Sequence, residues 1–547
     1  MFRNPQAWAC RNVTNAHTFL EEKIERFRTS LLLLLMLALL ALKVGNSSLI
    51  LGSLWGEDGN VFLNQALEGG VKAVWSPYNG YLHLFPRLVA LLASQFPLAF
   101  IPGLFNLGWL LAVGIAVFLI CHYGRQHALS NASCLILVGC VLLQPNNGEA
   151  FFTLTNAHWF IAIALILFIC HPDTTKPGVF TSTALIIAGL TGPFALITLP
   201  ILVLQTLLHR RMTKAAVVYL IIIGSALIQV YFLVASDRVD STAPMDPDYR
   251  HWLQALWVFF TFGLNSVFGA TCALLVWVLF AYALAMQLIR GSHQERVLQV
   301  SLLALAAMFY LAGLLTQRHE PQLLSPLGIC SRYYLIPYTL LIFSAGLAFR
   351  YFATIGVLAL VAFALVCIQG AVRVDRGEQQ WMAYSRLAEQ VSPLYIPIAP
   401  SMPAFPGWAA HVQKQLPPLT AVQIPLDQLH VYNAVRLDTP GEMALETGDV
   451  EPSIQFSLPQ CQDQRYLGVV VHAWREKGGF AQLFWGQQFN FKEQRSVRRF
   501  YPTGDVVMHF AFKRRHKDDT LRLDPTENLG KSVIHDVQLV CLGGTTN

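Results

Sequence analysis

Long uninterrupted apolar runs are the feature that most constrains this chain. The first run, at about 29–51, contains LLLLLMLALLAL, and comparable runs recur as far as residue 371. A run of about 20 apolar residues can cross the hydrocarbon core of a bilayer as a helix, and soluble cores do not require such runs. Charged residues make up 13% of the chain, which is low for a soluble protein. The sequence therefore predicts a polytopic α-helical membrane protein over residues 29–371.

The distribution of basic residues predicts the orientation of these helices. Three basic residues at 23–28 precede the first run, and another cluster lies at 210–214. Because cytoplasmic loops are enriched in Lys and Arg, we expect residues 1–28 to be a cytoplasmic segment. One assignment with about 11 transmembrane helices places every basic cluster inside, and the odd count puts the tail outside. The net charge of +6 is then a topology signal and does not indicate a nucleic-acid partner.

Two runs are expected to be interrupted. The run at 253–289 is too long for one straight crossing. Residues 179–208 must leave the cytoplasm and return, with TGP at 191–193 as the external turn. The loops on the predicted outer side hold most of the carboxylates, amides, His and Trp of the membrane half. Any chemistry is therefore expected at the outer face of the membrane.

An acidic pair, Glu57 and Asp58 in WGEDGNVF, lies a few residues beyond the first span. Carboxylates next to apolar lipid are costly unless they hold a cation or a positive partner. Such a pair can supply a general base or hold a divalent cation, Mg²⁺ or Mn²⁺, that neutralises phosphate. The alternative is a solvated acidic turn, but the position directly after the first span favours a functional role.

This layout resembles the GT-C superfamily of membrane glycosyltransferases, over roughly residues 29–371. Members carry an acidic pair in the first external loop and use polyprenyl-phosphate-linked sugars. An amphipathic external segment typically follows, and residues 74–97 fit this description while carrying Asn79, His83 and Arg87. The resemblance implies an inverting transfer in which Asp58 deprotonates the acceptor hydroxyl, with Glu57 supporting it or sharing a metal.

Other outer loops offer candidates for substrate binding. NNGEAFFTLTNAHWF carries Glu149, Asn156 and His158, and CSRYYLIP places Arg332 before a late span, as Arg-Tyr stands in many GT-C enzymes. Arg332 could donate a bidentate pair of hydrogen bonds to the carrier phosphate. It could equally be a membrane-end arginine that snorkels to the surface. Arg87 is the second candidate for a phosphate contact.

The chain changes character from about residue 372. Residues 372–449 are expected to form a linker and an irregular periplasmic segment, and the alternating patterns of 450–547 predict an all-β sandwich. Their order resembles jelly-roll modules attached to bacterial surface-polysaccharide glycosyltransferases. Four aromatic residues could stack on sugar faces, although alternating aromatics in a sandwich usually fill its core: Trp474, Phe484, Trp485 and Tyr501.

Cys461 and Cys541 are the two cysteines of the tail, and they flank the predicted sandwich. An external tail lies in an oxidising compartment, where disulfides persist. We therefore expect these two residues to form a disulfide, with two buried free thiols as the alternative.

These patterns together predict an integral glycosyltransferase of the bacterial inner membrane. It would move a sugar from a polyprenyl-phosphate donor to a glycan, a lipid-linked saccharide or a protein on the periplasmic face. A transporter or flippase of a lipid-linked saccharide is the alternative from another class, and it would need polar residues within the spans. An O-antigen ligase or polymerase is a second alternative, which would rely on external Arg and His residues and would not need the acidic pair.

Overall fold

The computed structural model describes most of the chain. The described residues are 30–46, 48–171, 175–210, 212–236, 244–400, 408–439, 441–447, 452–458, 461 and 464–543. The predicted cytoplasmic segment 1–28, with its basic cluster, lies outside the described residues.

An α-helical region comes first in the chain. Its described helices are α1 Ser30–Lys43, α2 Ser48–Leu51, α3 Asn64–Gly69, α4 Leu84–Ala93, α5 Ile101–Gln126, α6 Asn131–Leu143, α7 Ala157–Cys170, α8 Val179–Gly189, α9 Phe194–His209, α10 Ala216–Ala235, α11 Tyr249–Phe260, α12 Val267–Arg290, α13 His293–Thr316, α14 Arg332–Phe349, α15 Ala353–Gln369 and α16 Trp381–Leu387. The pairs α5–α7, α13–α14 and α12–α15 pack most extensively against each other.

Four described helices are long and apolar enough to cross a membrane: Leu98–Gln126, Ala216–Ala235, Val267–Arg290 and His293–Thr316. The predicted count of about 11 spans is therefore wrong. Hydropathy measures how apolar a run is, but Gly, Pro and polar residues cut most of the runs into helices of 10–17 residues. The run at 253–289 is divided between α11 and α12, and the TGP turn separates α8 from α9.

An antiparallel β-sandwich forms the C-terminal part of the chain. Its sheets have the strand orders β10-β9-β12-β7-β4 and β11-β8-β13-β6-β5, and β3 also pairs with β13. A separate hairpin is formed by β1 and β2. The strands are β1 Leu394–Pro397, β2 Ala409–Val412, β3 Val422–Ile424, β4 His430–Tyr432, β5 Val435–Thr439, β6 Glu442–Glu446, β7 Ser453–Ser457, β8 Tyr466–Arg475, β9 Gly479–Gly486, β10 Ser496–Tyr501, β11 Gly504–Lys513, β12 Thr520–Asp524 and β13 Lys531–Leu542.

The sandwich begins earlier than the sequence predicted. Strands β3 to β6 lie within 422–446, inside the segment expected to be irregular. Strands β3 and β6 pair with β13, β4 pairs with β7, and β5 pairs with β6. Short strands with little alternation give a weak sequence signal, so their pairing partners far along the chain decide their conformation. Among the candidate aromatics, Trp485 stacks on Phe512 with ring centroids 4.9 Å apart, and Tyr501 is buried. These two rings belong to the core of the sandwich.

Residues 374–391 connect the sandwich to the helices. Val374 donates from its backbone to Lys43 and accepts from Gly45, at 2.7 and 2.8 Å. In α16, the Trp381 indole donates to the Leu98 carbonyl (2.7 Å), and the Tyr384 hydroxyl donates to the His509 carbonyl of the sandwich (3.2 Å). Buried apolar residues run without a break from the helical region through α16 into both sheets. The two parts of the chain therefore share one hydrophobic core.

Cys461 and Cys541 form a disulfide with their Cα atoms 5.5 Å apart and a sequence separation of 80. We predict that Cys461→Ser lowers the stability of the sandwich by about 4 kcal/mol, because the cross-link limits the entropy of the unfolded chain. Thermal unfolding of the full-length protein, followed by near-UV circular dichroism, measures the change. The Cys461→Ser/Cys541→Ser double variant is the control and should unfold at nearly the same temperature as either single variant. Additive losses would contradict the cross-link.

Candidate functional site

Gly56 shapes the entry to the acidic pair. Its φ angle is +45°, in the region that favours glycine, and its N–H donates to the Ala399 carbonyl at 2.6 Å. A Cβ atom at this position would lie 2.8 Å from the ring of Trp408. The chain then enters a single π-helical turn, Asp58–Leu63. A side chain at residue 56 would therefore displace either the turn or the ring that covers it.

Asp58 is buried, with 2% of its surface exposed. Its Oδ1 accepts hydrogen bonds from the N–H and hydroxyl of Thr155, both at 2.6 Å, and from the Thr153 hydroxyl at 3.2 Å. Its Oδ2 accepts from the Leu154 N–H at 3.0 Å. Burial raises the pKa of Asp58 to about 6, and the Thr155 bonds and the Arg376 charge oppose this rise. Asp58 thus ties the turn at residues 56–58 to residues 153–155.

Glu57 is the more exposed member of the pair. Its Oε1 accepts a hydrogen bond from the Tyr78 hydroxyl at 3.2 Å. Tyr78 belongs to the turn that contains Asn79, whose φ angle is +51° and whose side chain is exposed. The carboxylate of Glu57 therefore has room for a second hydrogen-bonding partner.

Arg376 was not identified from the sequence, which placed it in the linker. Its guanidinium donates to the carbonyls of Phe152 (2.6 Å) and Phe151, and it lies 4.6 Å from the centroid of the Trp55 ring. Burial lowers the pKa of Arg376 to about 10, while the charges of Asp58 and Glu149 oppose that change. The positive charge of Arg376 acts on Asp58 and lowers its pKa. A basic residue just beyond the last span is a routine topology signal, so nothing local distinguished it.

His83 and Arg87 are both buried, with 1% and 2% of their surfaces exposed. Neither ring nitrogen of His83, and neither Nε nor Nη2 of Arg87, has a hydrogen-bond partner among the described residues. The remaining Arg87 nitrogen, Nη1, donates to the Ala73 carbonyl at 2.9 Å. The ring of His83 lies 5.1 Å from that of His158. Burial, together with the His158 and Arg87 charges, holds the pKa of His83 well below its usual value, so the ring is neutral at pH 7.

The segment that carries His83 is fixed by two residues that the sequence did not single out. The Gln229 side chain accepts from the Leu82 N–H at 2.9 Å and donates to the Gly192 carbonyl at 3.0 Å. The Thr191 hydroxyl accepts from the Phe85 N–H at 2.9 Å. Both lie in or beside apolar helices, where an isolated polar residue gives no indication of its partner.

The 145–156 and 325–332 loops meet at the same end of the helices. Glu149 forms an ion pair with the Arg332 guanidinium and accepts from the Arg332 N–H at 3.2 Å. Asn156 donates to the Glu149 carbonyl at 2.7 Å, and the His158 ring bonds to the Thr155 carbonyl. Arg332 is therefore held by a carboxylate, which differs from a snorkelling arginine whose head lies in water.

The residues of the acidic pair do not fit a divalent-metal site. No group of three or more His, Cys, Asp or Glu side chains within the described chain could hold a metal ion. Both oxygens of Asp58 already accept hydrogen bonds from protein donors. Mg²⁺ needs several oxygen ligands in octahedral geometry, which this pair does not supply together. We derive no step that involves a metal.

Comparisons with known proteins give limited information. No family model matches the chain, and no curated protein matches it. The C-terminal sandwich resembles solved carbohydrate-binding modules. BiXyn10A CBM1 in its apo form is 11% identical, with 22% of this chain and 89% of that chain covered and a TM-score of 0.17. CBM29_1, a family 29 carbohydrate binding module from Piromyces equi, is 8% identical, with 22% and 85% covered and a TM-score of 0.17.

A third similar structure is the enzymatically active domain of tailspike protein 4 from bacteriophage CBA120. It is 17% identical, with 22% of this chain and 19% of that chain covered and a TM-score of 0.16. These similarities are too weak to support a function, which has to be argued from the residues themselves.

Asp58 gives a test of the site's electrostatics. Its pKa is 3.8 in an unperturbed state and about 6 in the folded protein. Because the folded state binds the proton more tightly, the wild-type protein should lose stability relative to Asp58→Asn as the pH rises from 4 to 7. The gap of about two pKa units corresponds to about 3 kcal/mol. Thermal unfolding of both proteins at several pH values measures it, and a difference that does not vary with pH would contradict the assignment.

Proposed function

We propose that the protein is an integral-membrane glycosyltransferase. It transfers a sugar from a polyprenyl-phosphate donor to a saccharide or protein acceptor at the outer face of a bacterial inner membrane. Inverting displacement at the anomeric carbon breaks the bond to the carrier phosphate and forms the bond to the acceptor oxygen. The acceptor's proton passes to a carboxylate, and the lipid phosphate leaves. The four helices that could cross a membrane and the oxidised cysteine pair of the tail support this location.

The observation that carries the proposal is the convergence of the predicted outer loops on the acidic pair. Asp58 accepts from residues 153–155, and the charge of Arg376 acts on both Asp58 and Glu149. Glu149 in turn pairs with Arg332. Carboxylates beside guanidinium groups match the demands of this chemistry, which needs a base for the acceptor and positive charge for the leaving phosphate.

The geometry favours Glu57 over Asp58 as the base, which reverses the roles expected from the sequence. The raised pKa of Asp58 would suit a base. However, four protein hydrogen bonds already occupy its oxygens, and its side chain is almost fully buried. Glu57 accepts one bond from Tyr78 and is partly exposed. We assign proton transfer to Glu57 and a positioning role to Asp58.

Arg332 and Arg87, the two candidates for contact with the phosphate, differ in how many of their nitrogens already have hydrogen-bond partners. Arg332 already pairs with Glu149, so a phosphate would have to share its guanidinium. Arg87 is buried and keeps two nitrogens without hydrogen-bond partners among the described residues. Since an unsatisfied buried donor costs free energy, a phosphate that accepts from it gains that amount on binding. Arg87 is therefore the stronger candidate for contact with the leaving group.

Replacing the base tests the reaction. We predict that Glu57→Gln abolishes formation of the glycan product in cells that lack the wild-type protein, because the amide cannot accept the acceptor's proton. Glycan analysis by mass spectrometry measures the product, and immunoblotting of membranes confirms the amount of protein. Glu389→Gln is the matched control, since Glu389 is an exposed residue just after α16. Normal product from Glu57→Gln would reject this mechanism.

Replacing the arginines tests donor binding. We predict that Arg87→Gln raises the apparent KM for the lipid-linked donor about tenfold or more, because charge-assisted hydrogen bonds contribute about 1.5–3 kcal/mol. Arg332→Gln should have a smaller effect on KM, since Glu149 already holds that guanidinium. Lys72→Gln, at an exposed position, serves as the control. An unchanged donor KM in Arg87→Gln would remove Arg87 from the phosphate site.

One observation favours the O-antigen ligase or polymerase class as a second candidate. His83 is neutral and buried, and both of its ring nitrogens lack partners among the described residues. A histidine in this state could accept the proton of the acceptor hydroxyl. In that case His83→Gln would stop product formation and Glu57→Gln would not. If Glu57→Gln loses the glycan product and His83→Gln still forms it, the glycosyltransferase mechanism with Glu57 as the base is selected.

A further inference from the structure

A cleft of about 440 Å³ lies between the β1–β2 hairpin and the sandwich. We name it the aromatic cleft and define it by Tyr395, Trp408, Phe480, Arg499, Phe500 and Tyr501. It is separate from the buried groups around Asp58.

The rings of the aromatic cleft differ in exposure. Phe480 and Tyr501 are buried, whereas Trp408 and Phe500 are partly exposed and 41% of Tyr395 is exposed. Rings that serve only to fill a core are covered, as Trp485 is in the sandwich. The Tyr395 ring is stacked on His411 with ring centroids 4.5 Å apart, so it offers its exposed remainder to the cleft together with Trp408 and Phe500. Partly exposed aromatic side chains along a cleft are typical of a ligand site with an apolar wall.

Two arginines add hydrogen-bond donors to this wall. The Arg499 guanidinium lies 4.8 and 4.9 Å from the ring centroids of Tyr395 and Tyr501, and its Nη1 donates to the Tyr395 carbonyl at 2.8 Å. Arg498 lies 4.3 Å from the Phe480 ring and pairs with Glu527. The mutual packing of rings and guanidinium groups fixes their orientation before any ligand arrives, which reduces the entropy lost on binding.

The combination of groups selects a class of ligand. A pyranose ring offers a face of C–H groups to an aromatic surface and a rim of hydroxyls to planar donors and carbonyls. A lipid chain would offer no hydrogen-bond acceptor to the guanidinium groups. A bare phosphate would make no use of the open rings. The cleft therefore suits a saccharide of a few units.

The aromatic cleft adjoins the acidic pair. The Trp408 ring covers Gly56, directly before Glu57, and Ile398 would lie 2.9 Å from a Cβ atom at Gly59. Asn64, just after the π-helical turn, donates to the Ala409 carbonyl at 3.0 Å and accepts from the His411 N–H at 2.7 Å. The hairpin that forms one wall of the cleft is thus bonded to the loop that carries Glu57.

We propose that the aromatic cleft binds a saccharide chain and, on the basis of the proposed function, holds the acceptor glycan next to Glu57. Binding in the cleft brings the growing end of the chain to the carboxylate. It also gives the sandwich a direct part in the choice of acceptor.

Binding by the full-length protein in detergent tests the proposal without any transfer reaction. The probe is a microarray of bacterial surface oligosaccharides, followed by calorimetric titration with a retained sugar. We expect Tyr395→Ala to weaken binding about tenfold or more, which corresponds to about 1.4 kcal/mol. Tyr395→Phe keeps the ring and should bind nearly as the wild type does. Tyr432→Ala, at a position 48% exposed on β4, is the matched control and should bind normally.

Several outcomes would overturn the proposal. In the first, the wild-type protein retains no saccharide. In the second, Tyr395→Ala binds the sugar as tightly as the wild type does. In the third, Tyr432→Ala loses as much affinity as Tyr395→Ala. If Tyr395→Ala fails to fold, Arg499→Gln replaces it with the same expected loss. Binding that persists in Glu57→Gln, beside normal glycan in cells that carry this variant, would reject the transferase mechanism and leave the saccharide site standing.

Discussion

The buried carboxylate of Asp58 is the interaction on which the candidate site depends. It accepts hydrogen bonds from residues 153–155 and so fixes the turn at residues 56–58 against that segment. Removing a carboxylate from water is costly, and the cost is offset only where donors replace the lost water. The bonds from Thr155 and the nearby charge of Arg376 supply part of this compensation, and the raised pKa of Asp58 shows the cost that is left. Because Asp58 is held rigidly, the adjacent Glu57 has a defined position at the edge of the site.

The segment after α15, at residues 374–400, completes this arrangement. Arg376 bonds to the carbonyls of Phe151 and Phe152 and packs on Trp55, while Ala399 pairs with the backbone around Gly56. The sandwich is linked to the same region through α16 and the β1–β2 hairpin. A separate tethered module would not need this shared core. The position of the sandwich beside the acidic pair therefore gives physical support to its proposed role in holding an acceptor.

The sequence predicted some features well because their signals are local. The acidic pair, the TGP turn and the break in the 253–289 run could each be read from a few neighbouring residues. The pairing of Cys461 with Cys541 was expected because they are the two cysteines of the tail and flank the strands predicted from the sequence. Helix lengths were predicted poorly, since hydropathy does not record where a helix is interrupted. Arg376, Gln229 and strands β3 to β6 were missed because their partners lie far away along the chain. The roles of Glu57 and Asp58 could not be separated without knowing which of them is buried.

The most direct test of the account is a cryo-electron microscopy map of the full-length protein in lipid nanodiscs with a polyprenyl phosphate. If Glu57 and Arg87 belong to the transfer site, phosphate density should lie within hydrogen-bonding distance of Arg87 Nε or Nη2, on the same side of the helices as Glu57. The prenyl chain should extend from there along the apolar helices. Phosphate density at the opposite ends of the helices, away from Glu57 and Arg87, would contradict the central claim.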